Sequence, residues 1–209
     1  HHVTILSVIG DYRNWDPVGE ERQSDLIEGT KRLCEEKGVQ MRFLNYRSMG
    51  IEVSETSKRE VAEVVADIEP DVGLLLWPWD SHPDHEVVSQ LSKVAFNWSG
   101  TILGQSNGAR PPHRLYYYDN GPRHTDGFEP DTFVDIGDYW PEALDWLDSL
   151  MSFVLGSGKG AGPIETKEVL AAYRGKTCGV RFAEALRSFQ SYPVDILPPT
   201  PARQQLPTS

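Results

Sequence analysis

The chain has 209 residues, with 31 acidic side chains against 20 Lys and Arg and a formal charge of −11. That length supports one domain with a well-buried core. The charge excludes the basic face that nucleic acid demands and disfavours an anionic membrane surface, so a neutral small molecule is the expected partner. No apolar run reaches membrane-span length and no signal peptide is visible. Cys34 and Cys178 lie far apart without CxxC spacing, which favours reduced thiols and a cytoplasmic setting.

Val3 to Ile9 reads as a buried strand, followed by a loop from Gly10 to Glu21 rich in Asp, Asn, Pro and Gly. Ser24 to Lys37 carries helical spacing through Leu26, Ile27, Leu33 and Cys34, closed by Gly38. Val39 to Tyr46 is the next strand. Ser57 to Ile68 is the second helix, with Val61, Val64, Val65 and Ile68 on one stripe and Pro70 as its stop. Val72 to Trp77 is the continuous apolar run of a buried parallel strand, and Glu86 to Trp98 is again helical.

Strand and helix alternate three times over this stretch. The pattern predicts an α/β fold, a Rossmann-like three-layer sandwich with a mostly parallel sheet. Right-handed crossovers then place the loops after the strands along one edge, where such folds bind ligands.

In the second half, Arg114 to Tyr118 and Phe133 to Ile136 read as strands and Pro141 to Phe153 as a helix. Gly156 to Gly162 reads as a surface loop. Lys167 to Ser188 is expected to be largely helical, interrupted around Gly175 to Gly179. Residues 1–197 form the expected single domain, and 198–209 a Pro- and Gln-rich tail.

The segment with chemical content is Trp77-Pro78-Trp79-Asp80-Ser81-His82-Pro83-Asp84-His85-Glu86, at a strand-to-helix junction. Pro83 suits a first helical position and His82 the cap before it, which leaves His82 extended and reaching outward. His85, one turn on, can aim at the same space. Asp84 is placed to accept a hydrogen bond from a ring nitrogen and so fix a tautomer. Two imidazoles and a carboxylate make half of a metal site. The other reading of the spacing is a helix start with merely exposed histidines.

This segment resembles the PIG-L/LmbE deacetylases, whose His-Pro-Asp-His motif follows a Pro-Asp-Val-Val strand, matched here by Pro70-Asp71-Val72 and His82-Pro83-Asp84-His85. Further similar stretches are Gly38-Val39 into Arg42 to Arg47, Arg114 to Tyr118, Phe133 to Ile136, and Gly179-Val180-Arg181-Phe182-Ala183-Glu184. They run in order over nearly the whole chain. The resemblance implies a zinc-dependent hydrolase that removes acetyl from an N-acetyl amino sugar or its conjugate. It makes His85 a zinc ligand, His82 the oxyanion stabiliser, Asp84 its orienting carboxylate, and Arg22 the residue that holds sugar hydroxyls. It leaves a homo-oligomer open.

The chain departs from the family in one large respect. The family's first motif, Ala-His-Pro-Asp-Asp-Glu, supplies two zinc ligands and the general base, and it is not found here. By register, His1 to Thr4 matches the family's second strand, so a βα unit of roughly 30 residues is expected upstream. A rewritten first motif at Gly10 to Asp16 is the alternative, although it contains no histidine. Ser48 and Leu150 to Phe153 replace polar residues common in the family. His113 and His124, in Pro- and Gly-rich loops, read as surface histidines. Tyr116 to Tyr118 and Trp77, Trp79 and Trp98 read as core or rim packing rather than sugar-stacking platforms. The competing function is a non-catalytic sugar-binding or scaffolding relative. A metal-dependent hydrolase for another amide or ester is the third option.

Overall fold

The structure is a computed structural model, which describes residues 1–16, 18–104, 110–155 and 161–193. In chain order the elements are β1 (Val3–Asp11), α1 (Gly19–Glu36), β2 (Val39–Arg47), α2 (Glu55–Ile68), β3 (Val72–Leu76) and α3 (Pro83–Leu103). They continue with β4 (Arg114–Tyr118), β5 (Thr132–Asp135), a 3-10 turn (Gly137–Tyr139), α4 (Trp140–Leu155), α5 (Ala161–Cys178) and β6 (Ala183–Ser188). The α/β class is as expected. Most of the Gly156 to Gly162 loop, and the tail from Pro198, lie outside the described residues.

Local signals set most of these boundaries. Ser54 caps α2 by accepting from the Ser57 N–H while the Ser57 hydroxyl accepts from the Ser54 N–H, a reciprocal capping box. His82 caps α3 in an extended conformation, with Pro83 at the first turn. Gly38, at φ +68°, takes the left-handed turn that ends α1 and lets β2 begin.

The expected mostly parallel sheet is corrected. The strands form two sheets, β1-β2 and β3-β4-β6-β5. Pairing is parallel in β1/β2 and β3/β4 but antiparallel in β4/β6 and β5/β6. The physical cause is β6, which the sequence reading placed in a helix. Ala183 to Arg187 is built of good helix formers, yet α5 runs unbroken through Gly175 and stops where Gly179 turns to φ +85°. The segment after it pairs with two waiting strand edges, and that pairing overrides intrinsic propensity. Within α5, Gly175 makes room for the backbone of Val180 and Arg181, which crosses it so closely that a Cβ would sit 2.6 Å from the Arg181 carbonyl oxygen.

An apolar core lies between the β1-β2 sheet and the helices α2 and α3. Val8 of β1 packs with Val61, Ala62 and Val65 of α2 and with Leu91 and Ala95 of α3. Gly73 of β3 lies under Phe96 of α3, with no room for a side chain. The opposite faces of β1 and β3 are open: Val3, Ile5, Val72 and Leu74 are 47, 38, 54 and 55 % exposed. Among the described residues, β1 and β3 each also have one edge without a strand partner. On the far side, α1 lies against β2 and α4, where Gly29 admits the Phe153 ring. A smaller cluster of Trp140, Ala171 and Phe182 ties α4 and α5 to the segment before β6.

Candidate metal centre

Parallel pairing of β3 with β4, from Val72–Arg114 to Leu76–Tyr118, makes the chain leave both strands at the same end. The two following loops are then joined by hydrogen bonds. Asp80 and Thr125 form an antiparallel bridge, the Ser81 N–H donates to the His124 carbonyl at 2.8 Å, and the Asp126 N–H donates to the Trp79 carbonyl at 3.1 Å. The Trp77 indole N–H reaches the Asp126 carbonyl at 2.8 Å. Beneath the second loop, the buried Arg174 of α5 holds Asp119 at 2.5 Å and Glu184 at 3.2 Å.

His82 and His85 come together as the sequence predicts, with rings stacked 4.6 Å apart. The His82 Nδ1 accepts from the backbone N–H of Asp84 at 3.2 Å. A neutral imidazole with Nδ1 as acceptor carries its proton on Nε2, so His82 presents an N–H donor. The fixing group therefore differs from the expected one: it is the Asp84 main chain, not its carboxylate. The carboxylate is buried and turned the other way, accepting from the Met49 N–H at 2.9 and 3.1 Å and from the Ser48 hydroxyl at 3.2 Å. Ser48 thus has a partner of its own in this chain. Met49 donates from a left-handed backbone, φ +61°, a costly conformation for a non-glycine residue.

His85 Nδ1 lies 3.0 Å from Asp80 Oδ1 and 3.1 Å from the Asn120 amide nitrogen. Burial pushes the His85 pKa down, outweighing the upward pull of Asp80, so the ring favours its neutral, metal-binding form. Burial works to raise Asp80. Hydrogen bonds from Asn120 and from the His82 N–H, with the nearby His85, overcome this and leave its pKa below the ordinary value.

His124 was read as a surface histidine. It is exposed, but its Nδ1 lies 3.8 Å from Asp80 Oδ1 and its ring 5.5 Å from that of His85. One donor atom from each of Asp80, His85 and His124 lies within 4.8 Å of the others. Two imidazole nitrogens and one carboxylate oxygen are a donor set suited to zinc. The missed signal was topological: a histidine just after β4 must fall beside the loop after β3.

Arg22 of α1 donates to the Phe153 and Val154 carbonyls at the end of α4, at 2.6 and 3.5 Å. In the Gly10 to Asp16 segment, the Asp11 carboxylate is held by Arg13 at 2.7 and 2.9 Å, and that hydrogen bonding lowers its pKa to about 2. Trp77 is buried against Trp79, Tyr117 and Phe128, whereas Trp79 is 58 % exposed. A cleft of about 1170 Å³ on the other flank of α3's first turn is bordered by Trp79, Pro83 and Glu86, but neither His82 nor His85 lines it. Both cysteines are free, Cys34 buried and Cys178 exposed.

Residues 10–96 match the family model described as PIG-L: GlcNAc-PI de-N-acetylase. The resemblance to the PIG-L family holds. That PIG-L segment ends within α3 and includes His82, Asp84 and His85. Among curated proteins, no match is found. Among solved structures, the chain is similar to a conserved protein of Thermus thermophilus (TM-score 0.76, 19 % identity, 96 % of this chain and 86 % of that one). It is also similar to an N,N'-diacetylchitobiose deacetylase of Pyrococcus horikoshii (TM-score 0.71, 20 % identity, 90 and 73 %). A third is the 4-carboxy-2-hydroxymuconate hydratase of Pseudomonas putida (TM-score 0.73, 15 % identity, 94 and 88 %). At such identities these structures establish a shared fold. Among the described residues, no helix is long and apolar enough to cross a membrane.

Proposed function

We propose that this chain carries the catalytic core of a zinc-dependent N-deacetylase acting on an N-acetyl amino sugar or its conjugate. The observation that carries the reading is the pair His82 and His85, stacked at the start of α3 with His82 locked as an Nε2–H donor. The PIG-L match over this segment and the chitobiose deacetylase fold support it.

A zinc ion at His85 would supply Lewis acidity, acidifying a water and polarising the acetyl carbonyl. The chain's own residues do the rest. His82 donates from Nε2 to the oxygen on which charge develops as the amide carbon becomes tetrahedral. Asp84 acts as a positioning residue: its N–H sets the His82 ring, and its carboxylate pins the first turn of α3 to the end of β2. Asp80 and Asn120 hold His85. Arg22 is assigned to the sugar hydroxyls, as the family resemblance implies.

The reading includes a βα unit ahead of β1 that brings the general base and the two other zinc ligands. The edges of β1 and β3 that lack a strand partner among the described residues, and the exposed Val3, Ile5, Val72 and Leu74, support a strand and helix at that place. A cytoplasmic setting belongs to the same reading.

The test is acetate release from a panel of N-acetylglucosamine conjugates by the full-length protein loaded with zinc. Release that disappears in His82→Ala supports the proposal. No release from any N-acetyl sugar, with hydration of an unsaturated acid instead, would move the chain to the chemistry of its hydratase neighbour.

A further inference from the structure

We propose that Asp80, seated by Asn120, fixes His85 as the Nδ1–H tautomer, the opposite of His82, so that the two stacked rings present one Nε2–H donor and one Nε2 lone pair. Asp80 and Asn120 act here as positioning residues, and the family resemblance assigns a role to neither. The inference rests on the metal reading of the same site. It deepens that reading, because it names the atom of His85 that meets the ion and the loop that sets it.

The Asp80 side chain has no exposed surface, so its oxygens depend on protein donors. Oδ1 accepts from the His82 backbone N–H at 2.9 Å, and His85 Nδ1 stands 3.0 Å from the same atom. Oδ2 accepts from the Asn120 amide at 2.8 Å. An unprotonated His85 Nδ1 would turn its lone pair on those of Oδ1. A neutral ring avoids that repulsion by carrying its proton on Nδ1, which then donates to Oδ1. Every group of the cluster is satisfied in this arrangement, and Nε2 keeps the free lone pair.

His82 is set the other way. Its Nδ1 accepts from the Asp84 N–H at 3.2 Å, which leaves the proton on Nε2. One helical turn thus holds two stacked imidazoles, 4.6 Å apart, in opposite tautomers. The difference lies in what faces Nδ1: a backbone N–H for His82 and a carboxylate for His85. An Nε2–H can donate to an oxyanion but cannot bind a cation, and an Nε2 lone pair does the converse. A carboxylate behind a ligating ring also fixes its orientation and raises its basicity.

The loop after β4 controls this arrangement through Asn120. The Asn120 backbone N–H donates to the Thr125 hydroxyl at 2.8 Å, and Thr125 itself pairs with Asp80 in the antiparallel bridge. Asp119, just before it, is held by Arg174. Asn120 therefore reaches Asp80 from a turn anchored on both sides. His124 Nδ1, 3.8 Å from Oδ1, is beyond hydrogen-bond reach and adds no donor.

The experiment takes the full-length protein, freed of metal by a chelator and with isotope-labelled histidine rings, at a pH where both rings are neutral. Long-range proton–nitrogen spectra read which ring nitrogen carries each proton, and His82→Ala and His85→Ala assign the signals. His85 is expected as Nδ1–H and His82 as Nε2–H. Asp80→Ala should move His85 toward the Nε2–H form and weaken Zn²⁺ binding, measured against a chromophoric chelator, by about tenfold to hundredfold. Asn120→Ala should act in the same direction to a smaller degree. Asp80→Asn keeps an oxygen for the two donors on Oδ1, so it should retain the tautomer and lose less Zn²⁺ affinity than Asp80→Ala. Circular dichroism checks that each variant folds, and the wild-type spectrum reads the tautomer without any change at Asp80. A wild-type His85 protonated on Nε2, or tautomer and Zn²⁺ affinity unaltered in Asp80→Ala, would overturn the assignment. Opposite tautomers in a protein that releases no acetate would sustain it and remove the deacetylase reading. Acetate release with His85 protonated on Nε2 would do the reverse.

Discussion

The backbone N–H of Met49 donates to the Asp84 carboxylate at 2.9 Å, joining the chain just after β2 to the first turn of α3. This contact, with Ser48 beside it, fixes the angle at which α3 leaves the sheet and hence where His85 stands. Replacing Asp84 by alanine leaves a main-chain donor and a hydroxyl without their acceptor in a buried place. A loss of about 1.5–3 kcal/mol is expected in denaturant unfolding. Asp84→Asn keeps an acceptor for Met49 and should lose less, which separates the hydrogen bond from the charge.

Arg174 is the second anchor. Its side chain is 6 % exposed and holds Asp119 at the head of the loop that presents Asn120 and His124. Arg174→Ala leaves the buried Asp119 without its cation, whereas Glu184 keeps Lys167 at 2.7 Å. The expected cost is about 3–5 kcal/mol, read as a fall in Tm and in the denaturation midpoint.

The two motif histidines should separate by function. His85→Ala should lose bound metal, whereas His82→Ala should retain it and lose turnover. Metal analysis and a single-turnover assay read the two effects independently. Full activity in both variants would exclude this site.

Asp11 gives a pH prediction with a definite sign. Arg13 lowers its pKa from 3.8 to about 2. A carboxyl depressed in the folded state contributes stability above its unfolded value, and that contribution is lost as pH falls from 3.8 through about 2. A carboxyl-detected NMR titration should place its midpoint near 2, and Arg13→Ala should return it toward the ordinary value.

Zinc should also stabilise the fold by mass action, raising Tm with added metal in the wild-type chain and less in His85→Ala. Equal shifts in both proteins would place the ion elsewhere.

Much of this was legible in the sequence. The helices reveal themselves by local chemistry: the Ser54–Ser57 capping pair, the turn at Gly38, and the His82-Pro83 start of α3. The strands through β5 follow from β-branched and aromatic runs. Spacing alone brings His82 and His85 together, since they lie one helical turn apart, but their reading as a site rests on the family resemblance. β6 was hidden because Ala, Glu, Leu and Arg favour a helix, and only an available strand edge makes them extended. His124 was hidden for a different reason. Its partner Asp80 is 44 positions earlier, and nothing local in a Gly-Pro-Arg-His turn announces that distance. The sequence alone thus determined the helix start and its two histidines, because those depend on the first turn of one helix. What only tertiary structure decided was their company. Parallel pairing of β3 with β4 brings Asp80, Asn120 and His124 around His85, and the Met49 contact turns the Asp84 carboxylate away from the rings.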